Sequence, residues 1–327
     1  MKTTVLCLLI AFFCFFITVI VERKLIPFLS NKAKQPIYED GPNWHIKKTG
    51  TPTMGGLAFI LSVISVFALL CLYLFFFKKN TTLTISILIA LLFSAANAMI
   101  GIIDDLTKLR KKENAGITPL QKLGLQLILA VIFLMARKHF FNDSTILEFS
   151  FGSFDIGFFY YPLAIILILG IINCANLTDG VDGLASCVAA TIGLSFCLIT
   201  PSFLESVKFV GSAMLGAGIG FLLFNRHPAR VFMGDTGSLF LGALAVAGAF
   251  TLNSPFAIIL LGGVYVIEGI SVILQVIFFK LTGRRLFKMS PLHHHLEKCG
   301  YSENKICLIA ILTTVLTSLL SILIFKI

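Results

Sequence analysis

The sequence predicts an all-α fold: a polytopic integral membrane protein with about ten transmembrane helices. Two observations carry this prediction, the composition and the spacing of long apolar stretches. Of 327 residues, 57% are hydrophobic and 13% are charged, and the mean hydropathy is +0.96, whereas a soluble domain has about 45–50% apolar and about 25% charged residues. The composition excludes a soluble globular enzyme, a disordered chain and a nucleic-acid-binding arm. Alternating ten-residue strands are absent from the sequence, which excludes a closed β-barrel.

Ten apolar stretches approach the roughly 20 residues that a membrane-crossing helix needs. The first resembles a signal peptide, but it lacks an Ala-x-Ala pattern and its basic residues follow the apolar run, so we expect it to remain a helix. Only a polar patch around Asp179 separates the fifth from the sixth, and the eighth is short and glycine-rich. No repeat or low-complexity linker divides the chain, which predicts one membrane-embedded domain over 1–327. The predicted spans are 4–21, 54–77, 83–103, 123–141, 157–177, 181–200, 207–224, 237–253, 256–279 and 306–325.

The distribution of Lys and Arg predicts the orientation of these spans. With ten spans, both termini share a side with the even-numbered loops, and that side holds only seven of the 26 Lys and Arg residues. The positive-inside rule then places the odd-numbered loops in the cytoplasm and both termini outside. Twelve of the 16 Asp and Glu residues lie on or near the cytoplasmic side, although acidic residues do not determine topology. We therefore expect a polar site at the cytoplasmic membrane surface.

The first candidate motif is Asp104-Asp105 at the end of the third span, with Lys108 one turn later. Adjacent carboxylates at a membrane boundary are costly when desolvated. They form either a solvated helix end or a Mg²⁺ or general-base site, since Mg²⁺ takes carboxylate oxygens and usually bridges to phosphate. The prenyltransferase pattern DDxxD does not fit, because Lys108 takes the place of its last acid. Asp104 and Lys108 are expected to share one helix face.

Four polar residues recur at three-residue steps between the fifth and sixth apolar stretches: Asn173, Asn176, Asp179 and Asp182. In a continuous helix this spacing places them near one stripe. Unpaired polar groups in hydrocarbon would each cost several kcal/mol. Two alternatives remain, a capped helix–loop–helix turn and a polar cradle for a nucleotide, a sugar or a metal–phosphate group.

The segment NRHPARVFMGDTG runs from Asn225 to Gly237 and places Asp235, three residues after Phe232, at the start of the eighth span. Glycines allow close backbone approach, and a helix N-terminus favours anions. Asp235 is therefore either a plain N-cap or part of an anion-binding site.

Three consecutive histidines, His293, His294 and His295, follow a basic run near the last span. They lie inside the chain, unlike an expression tag, and adjacent residues of a regular helix cannot all face one metal ion. We expect their imidazoles to donate hydrogen bonds to phosphate. The alternative is a solvated surface loop.

The first cytoplasmic loop ends in KKTGTPTMGG, residues 47–56, which contains Lys48 and Thr53. A lysine ahead of a Gly/Thr/Pro turn at a helix start suits an anion. The order of residues differs from a Walker A loop. A simple loop-to-helix junction is the alternative.

Glu268 lies within the ninth span, with Gln275 two turns later. An ionisable residue at membrane depth is a candidate for function. A Glu–Gln hydrogen bond that holds helices together is the alternative. Four of the five motifs outside the membrane spans suit phosphate and Mg²⁺, which indicates phosphoryl transfer at the cytoplasmic face. Neither the donor nor the acceptor follows from these residues alone.

Taken together, the motifs resemble the polyprenyl-phosphate N-acetylhexosamine-1-phosphate transferases, and most of all the phospho-N-acetylmuramoyl-pentapeptide transferase family. The likeness extends from Tyr38 to Glu297, and six strings occur in the family's order: KKTGTPTMGG, DDLTK, NCANLTDGVDGLA, FMGDTGSL, EGISVILQV and MSPLHHHLE. The sister enzymes that use UDP-N-acetylglucosamine share the aspartate motifs. The loop YEDGPNWHIKKTGTPTMGG and the uninterrupted HHHLE look like the muramoyl-pentapeptide branch.

The resemblance implies an activity, a cofactor and a set of site residues. Family members transfer phospho-N-acetylmuramoyl-pentapeptide from its UDP-sugar to undecaprenyl phosphate, and lipid I and UMP are the products; Mg²⁺ is required. Asp104, Asp105 and Asp235 match catalytic positions, the first two with a base role toward the lipid phosphate, and Asp235 and Asp179 match the metal region. The residues expected to bind substrate are Lys48, Thr53, Lys108, Lys122, Asn173, Asn176, Asp179, Asp182, Asn225, Phe232 (stacking on uracil), Glu268, Gln275, His293, His294 and His295.

Within this interpretation, the protein is a multi-pass enzyme of the bacterial inner (cytoplasmic) membrane, and a homodimer is expected from the resemblance. Three alternatives are weighed against it. A sister transferase would use UDP-N-acetylglucosamine. A transporter would need charges near the bilayer centre on several helices, and the sequence places only Glu268 there. A non-catalytic scaffold would leave the Asp, Asn and His motifs unexplained.

Overall fold

The computed structural model describes residues 3–33, 48, 50–111, 116–201, 203–252 and 254–326. Most of the first cytoplasmic loop, residues 34–47, lies outside the described residues, so the expectations for that stretch stay predictions. The described residues form twelve α-helices and one β-hairpin. These elements are α1 Thr3–Lys32, α2 Gly56–Phe76, α3 Thr81–Lys111, α4 Pro119–Phe141, β1 Ile146–Phe149, β2 Gly152–Asp155, α5 Tyr160–Leu177, α6 Leu184–Ile199, α7 Glu205–Asn225, α8 Gly234–Ala249, α9 Ile258–Leu261, α10 Gly263–Thr282, α11 Leu292–Lys298 and α12 Glu303–Ile324.

Eight of the described helices are long and apolar enough to cross a membrane, namely α1, α2, α3, α4, α5 with the turn before it, α7, α10 and α12. The prediction of a mainly helical, polytopic membrane protein is therefore confirmed. Two further helices, α6 and α8, have 16 residues each, fewer than the roughly 20 that a bilayer crossing needs. Both pack among the longer helices.

Several bounds differ from the predicted spans, because an apolar run marks the part of a helix in hydrocarbon and not the helix itself. α1 continues to Lys32 and α3 to Lys111, well past the predicted ends at 21 and 103. The predicted ninth span, 256–279, is interrupted. α9 ends at Leu261 and α10 starts at Gly263, since Gly262 has a non-helical backbone (φ −98°, ψ 31°).

Sequence reasoning missed the β-hairpin between α4 and α5. Its two short strands pair antiparallel, Ile146 opposite Asp155, and it packs against the far end of the last helix. The Phe149 and Phe325 rings lie 5.2 Å apart, and the Ser150 N–H donates to the Ile324 carbonyl at 2.9 Å. Because α12 begins at Glu303 and ends here, the hairpin marks the end of the bundle opposite to Glu303.

The core surrounds α8, in which every residue from Thr236 to Ala249 is buried. Small residues let the neighbouring helices approach it closely. A Cβ added to Gly101 of α3 would lie 2.3 Å from the Asp235 carbonyl oxygen, and one added to Gly56 of α2 would lie 2.3 Å from Gly237 Cα. These contacts bring the beginning of α8 against the end of α3, where the two acidic motifs meet.

The polar stretch between α5 and α6 is a turn and not a continuous helix. α5 ends at Leu177, and α6 begins after Gly183, whose φ of +81° is left-handed. Asn173 and Asn176 therefore belong to α5, while Asp179 and Asp182 belong to the turn. Of the two alternatives for the backbone, the helix–loop–helix turn is the one observed. Its carboxylates nonetheless face groups from other helices, as described below.

Candidate active site

The polar ends of several helices meet at one end of the bundle. α3, α5 and α7 end there, while α4, α6, α8 and α12 begin there, and side chains from most of them bond to one another. The charge distribution along the chain predicts that this end faces the cytoplasm. The site is therefore assembled from motifs that are far apart in the sequence.

Three carboxylates lie at the centre of this end, and we call Asp104, Asp105 and Asp235 the aspartate cluster. Each offers an oxygen within 4.8 Å of the other two. Asp104 and Asp105 are only 3% exposed, so they do not form a solvated helix end. Asp104 is held by the Ile117 N–H, which donates to its Oδ1 at 2.9 Å.

Asp105 also caps the first turn of α8. Its Oδ2 accepts hydrogen bonds from Thr236 N at 2.9 Å and Thr236 Oγ1 at 2.7 Å, and its Oδ1 accepts one from Asp235 N at 3.3 Å. Gly234 has a φ of +74°, and a Cβ there would lie 2.6 Å from Asp105 Oδ2. A carboxylate from α3 thus accepts hydrogen bonds from two of the backbone N–H groups that this helix start leaves unpaired. Asp235 is not an N-cap, and its side chain is left for the cluster.

Two lysines and an asparagine surround Asp235. Lys122 Nζ lies 2.7 Å and Lys108 Nζ 3.3 Å from Asp235 Oδ2, and Asn176 Nδ2 donates to Oδ1 at 3.1 Å. Lys122 Nζ also donates to Asn176 Oδ1 at 3.1 Å. Lys108 pairs with Asp104 at 2.6 Å, one helical turn away, in agreement with their shared face. The cluster is therefore a network of charges and not three isolated acids.

The donor set of the aspartate cluster fits a hard divalent cation. Carboxylate oxygens are the ligands that Mg²⁺ and Ca²⁺ take, and Mg²⁺ is typically held by one or two carboxylates together with phosphate oxygens. Three carboxylates and two ammonium groups leave a net charge of −1. A divalent cation would reverse the sign of this charge, so the cluster could then accept an anion. Asp179, the other predicted metal residue, is not one of the three grouped acids.

A second network, which we call the Lys48 cluster, joins four segments of the chain. Lys48 Nζ lies 2.7 Å from both Asp182 Oδ1 and Glu303 Oε2. His227 Nδ1 lies 3.1 Å from Asp182 Oδ2 and 3.0 Å from Glu303 Oε1, and Glu303 accepts the Asp182 N–H at 2.8 Å. Burial lowers the pKa of Lys48, but the ion pairs outweigh it and hold that pKa above its usual value. Lys48 therefore stays charged.

Asp179 lies between the two clusters. Its carboxyl accepts the Gly234 N–H, and the carboxylates of Asp235, Asp105 and Asp182 are near enough to act on it. Burial and these like charges raise the pKa of Asp179 well above its usual range. A cation bound beside it would favour the ionised form.

Glu268 and His293 form a buried pair that packs against the turn between α5 and α6. Both are buried, at 5% and 1% exposure. His293 Nδ1 lies 3.1 Å from Glu268 Oε2, and the backbone N–H of His293 donates to the same oxygen at 3.3 Å. A Cβ added to Gly180 would lie 2.2 Å from His293 Nε2, so this imidazole packs directly on the turn that carries Asp179. Glu268 is paired across helices, with a histidine and not with Gln275.

Three other predicted residues, Asn225, Asn173 and Gln275, form hydrogen bonds within the fold. Asn225 is 2% exposed; it accepts from Gly183 N and Ser186 Oγ and donates to the Val231 carbonyl. Asn173 donates to Gln126 Oε1 at 2.8 Å. Gln275 accepts the N–H groups of residues 286 and 287.

Thr53 and Phe232 flank the beginning of α8. Thr53 is buried, and its Oγ1 would lie 2.9 Å from a Cβ at Gly234. The Phe232 N–H donates to the Pro52 carbonyl at 2.8 Å, and its side chain is half-buried. The loop before α2 and the loop before α8 are thus bonded along their backbones.

The histidine run forms part of α11, a helix that was not predicted. His294 Nδ1 pairs with Glu297 at 2.6 Å, and His295 Nδ1 accepts the Lys288 N–H at 3.1 Å. Only His293 is buried against the turn between α5 and α6. The three imidazoles point to three different partners, as expected for adjacent helical residues.

Sequence reasoning missed several residues that complete these networks. Thr236 and Ser238 bond to cluster residues, and Gln126 bonds to Asn173; none stands out in an apolar helix. His227 and Glu303 carried one weak signal each, a histidine inside the segment before Asp235 and an acid at a helix start.

The fold and the site define a class of membrane-embedded transferase. A family model, Glycosyl transferase family 4, matches residues 87–253, which include most of α3, all of α4 to α8 and the whole aspartate cluster. The Phospho-N-acetylmuramoyl-pentapeptide-transferase signature 1 matches residues 48–60, which begin at Lys48.

Curated relatives narrow the class. The chain is 44% identical over 295 residues to a phospho-N-acetylmuramoyl-pentapeptide-transferase of Halalkalibacterium halodurans, and 43% identical over 293 residues to one of Bacillus subtilis. In both comparisons the match covers 88% of this chain and 88% of the relative. The chain belongs to the phospho-N-acetylmuramoyl-pentapeptide-transferase family, and the resemblance found in its motifs is confirmed.

Proposed function

We propose that this chain transfers phospho-N-acetylmuramoyl-pentapeptide from its UDP-sugar to undecaprenyl phosphate, a step of peptidoglycan synthesis. A phosphate oxygen of the lipid attacks the sugar-linked phosphorus of the diphosphate, the bond to the UMP phosphate breaks, and lipid I and UMP are released. The observation that carries this proposal is the 44% identity over 88% of the chain to a transferase of this name. The aspartate cluster supplies groups suited to the chemistry.

The proposed cofactor is Mg²⁺, held by Asp235 with the help of the neighbouring Asp104 and Asp105, and with Asp179 close by. When bound, Mg²⁺ would neutralise diphosphate oxygens and the charge that develops on the leaving phosphate. Lys108 and Lys122 add positive charge at the same place, which stabilises that charge further. The pair Asp104 and Asp105 is proposed to take the proton from the lipid phosphate. Asn176 orients Asp235 and Lys122 by bonding to both.

The nucleotide and the sugar are proposed to lie on the side of the Lys48 cluster. Phe232 offers a half-buried ring for stacking on uracil, and Lys48, Asp182, Thr53 and Asn225 shape the loops around it. His294 and His295 are proposed to contact the phospho-sugar. The buried residues of the predicted set hold these loops in position: His293, Glu268, Gln275 and Asn173.

The membrane arrangement completes the proposal. We propose ten spans, with α6 and α8 as the two short ones, both termini outside, and one transferase domain over 1–327 in the bacterial inner membrane. The exposed apolar side chains of the eight long helices support a multi-pass protein. A homodimer is proposed from the family alone.

UMP release by the purified protein tests the function. Undecaprenyl phosphate and Mg²⁺ are supplied with UDP-MurNAc-pentapeptide or, in parallel, with UDP-GlcNAc. We expect release with the muramoyl substrate only, loss of release after chelation, and its return when Mg²⁺ is added back. Release with UDP-GlcNAc would assign the chain to the sister branch. No release from folded protein with either sugar would contradict a transferase.

A further inference from the structure

A cavity opens beside the Lys48 cluster and has no role in the proposed reaction. Its volume is about 450 Å³, within the range of small-molecule sites. It lies between the end of α7 and the beginning of α12, and its polar wall consists of Arg226, His227, Arg230 and Asn304. These residues lie at the same end of the bundle as the aspartate cluster.

The wall of the cavity carries unneutralised positive charge. Within the described residues, neither Arg226 nor Arg230 has a carboxylate oxygen within 4.0 Å. The nearby acids Asp182 and Glu303 are already paired with Lys48 and His227. Two guanidinium groups that face open space are suited to bind a carboxylate or a phosphate, in the forked geometry that arginine offers.

The segment that carries these arginines is held in place by the fold. The Arg230 N–H donates to the Phe224 carbonyl at 2.8 Å, and the Arg230 guanidinium lies 5.7 Å from the centre of the Phe224 ring. The Ala229 N–H donates to Asp182 Oδ2 at 2.9 Å. The arginines are thus presented by a fixed loop, so less order has to be imposed when an anion binds.

The cavity is within reach of a peptide that is attached to the reacting sugar. Arg230 stands five residues before Asp235, and five residues span at most about 18 Å when fully extended. A linear pentapeptide extends over about the same distance. A chain that starts at a sugar beside the aspartate cluster can therefore place its far end, which is a carboxylate, in this cavity.

We propose that Arg226 and Arg230 bind the terminal carboxylate of the substrate's pentapeptide. The inference rests on the proposed function and extends it, because it assigns a site to the part of the substrate that takes no part in the chemistry. The interaction selects substrates that carry a complete, charged peptide. It acts on binding, since the carboxylate is far from the bonds that change.

Steady-state kinetics with two substrates test the proposal. UDP-MurNAc-pentapeptide is compared with the same molecule whose terminal carboxylate is a carboxamide, in wild type, Arg226→Gln, Arg230→Gln and the double variant. A hydrogen bond to a charged group is worth enough to change binding about tenfold. We expect each single variant to raise KM for the carboxylate substrate by about tenfold with kcat unchanged, and to leave KM for the carboxamide unchanged.

The controls separate this proposal from its alternatives. Arg23→Gln removes an exposed arginine within α1 and should change neither KM. Arg226→Lys and Arg230→Lys keep the charge and should retain part of the affinity, which excludes misfolding as the cause. Equal KM increases for both substrates, or none, would overturn the proposal. The proposal would also be overturned if, with the enzyme in lipid vesicles, the KM change depended on phosphatidylglycerol and not on the peptide carboxylate. That result would assign the cavity to a lipid headgroup. Inactive wild-type enzyme would instead refute the proposed function itself.

Discussion

Individual carboxylates at this site have different duties, although the sequence presents them as similar acids. Both carboxylate oxygens of Asp105 accept hydrogen bonds from the first turn of α8. The side chain of Asp235 instead contacts Lys108, Lys122 and Asn176. A substitution at Asp105 therefore disturbs both a helix start and the cluster. A substitution at Asp235 changes charge with little effect on the backbone.

For Asp235→Asn we expect UMP release to fall by about 10²–10³-fold, the range for removal of one group that stabilises transition-state charge. The amide keeps the size of the side chain but removes the carboxylate that pairs with Lys122, and Lys108 keeps only its pairing with Asp104 and Asp105. The thermal midpoint in detergent should stay close to wild type. Asp155→Asn in the hairpin, at the opposite end of the bundle, serves as the control. Wild-type turnover in Asp235→Asn would remove this residue from the mechanism.

Phe232→Ala tests the nucleotide side of the site. Stacking of an aromatic ring on a base is worth about 1–3 kcal/mol, so KM for the UDP-sugar should rise by roughly tenfold or more. KM for undecaprenyl phosphate should not change, and neither KM should change in Phe151→Ala, an exposed ring of the hairpin. Equal effects on both substrates would argue against stacking.

At the scale of elements, the site depends on how closely the helices approach one another. Gly101 lets α3 lie against the first turn of α8, and the Lys48 cluster joins four segments of the chain that are far apart in the sequence. The site residues are therefore as sensitive to helix spacing as to their own chemistry.

Gly101→Ala should separate α3 from α8, because the new Cβ would meet the Asp235 carbonyl oxygen at 2.3 Å. Overpacking of this kind costs about 1–3 kcal/mol. We expect a lower thermal midpoint together with reduced turnover. Gly170→Ala in α5 is the matched control, since a Cβ there meets nothing within 4 Å. Unchanged stability and turnover in Gly101→Ala would show that α3 and α8 can move apart without loss of stability, which would contradict this prediction.

Glu303→Gln should weaken the Lys48 cluster, and its effect should be smaller in a Lys48→Met background, as a double-mutant cycle measures. We expect a lower thermal midpoint and a higher KM for the UDP-sugar. The pKa of Lys48 is raised in the folded protein. The stability that its ion pairs contribute is therefore complete below the pKa of Lys48 in the unfolded chain, and it is lost only as the pH rises through the folded pKa. The effect should therefore persist from about pH 7.5 to 9.5. Additive effects of the two substitutions would contradict the coupling, and Glu148→Gln in the hairpin controls for loss of an acid.

For the molecule as a whole, the positive-inside rule gives a prediction that no single contact can test. A protease-sensitive tag at the C-terminus should be cleaved in intact spheroplasts, since both termini are expected outside. The same tag inserted within residues 283–290 should be cleaved only after permeabilisation. The reverse pattern would invert the proposed topology.

The sequence predicted much of the site because polar residues are conspicuous in an apolar chain. Asp104, Asp105, Asp235 and the turn with Asp179 were all found in this way, and the structure brings them together. Their partners were harder to find. Thr236 looks like an ordinary helical residue, and its bond to Asp105 exists only because α3 and α8 pack closely.

Helix ends and the hairpin escaped prediction for a related reason. Hydropathy indicates which residues lie in the bilayer, but it does not report the hydrogen bonds of the backbone. It therefore predicts neither the extension of α1 to Lys32 nor the break at Gly262. The hairpin strands have four residues each, too few for an alternating pattern to stand out.

The buried position of α8 has a consequence for how the chain is made. Its main neighbours α3 and α5, and α7 as well, all precede it, so a space for this short helix already exists when it leaves the ribosome. Every member of the aspartate cluster, with Lys108, Lys122 and Asn176, has then been synthesised. The Lys48 cluster must wait for Glu303, at the start of the last helix. During translation the aspartate cluster is therefore complete first, and the Lys48 cluster forms last.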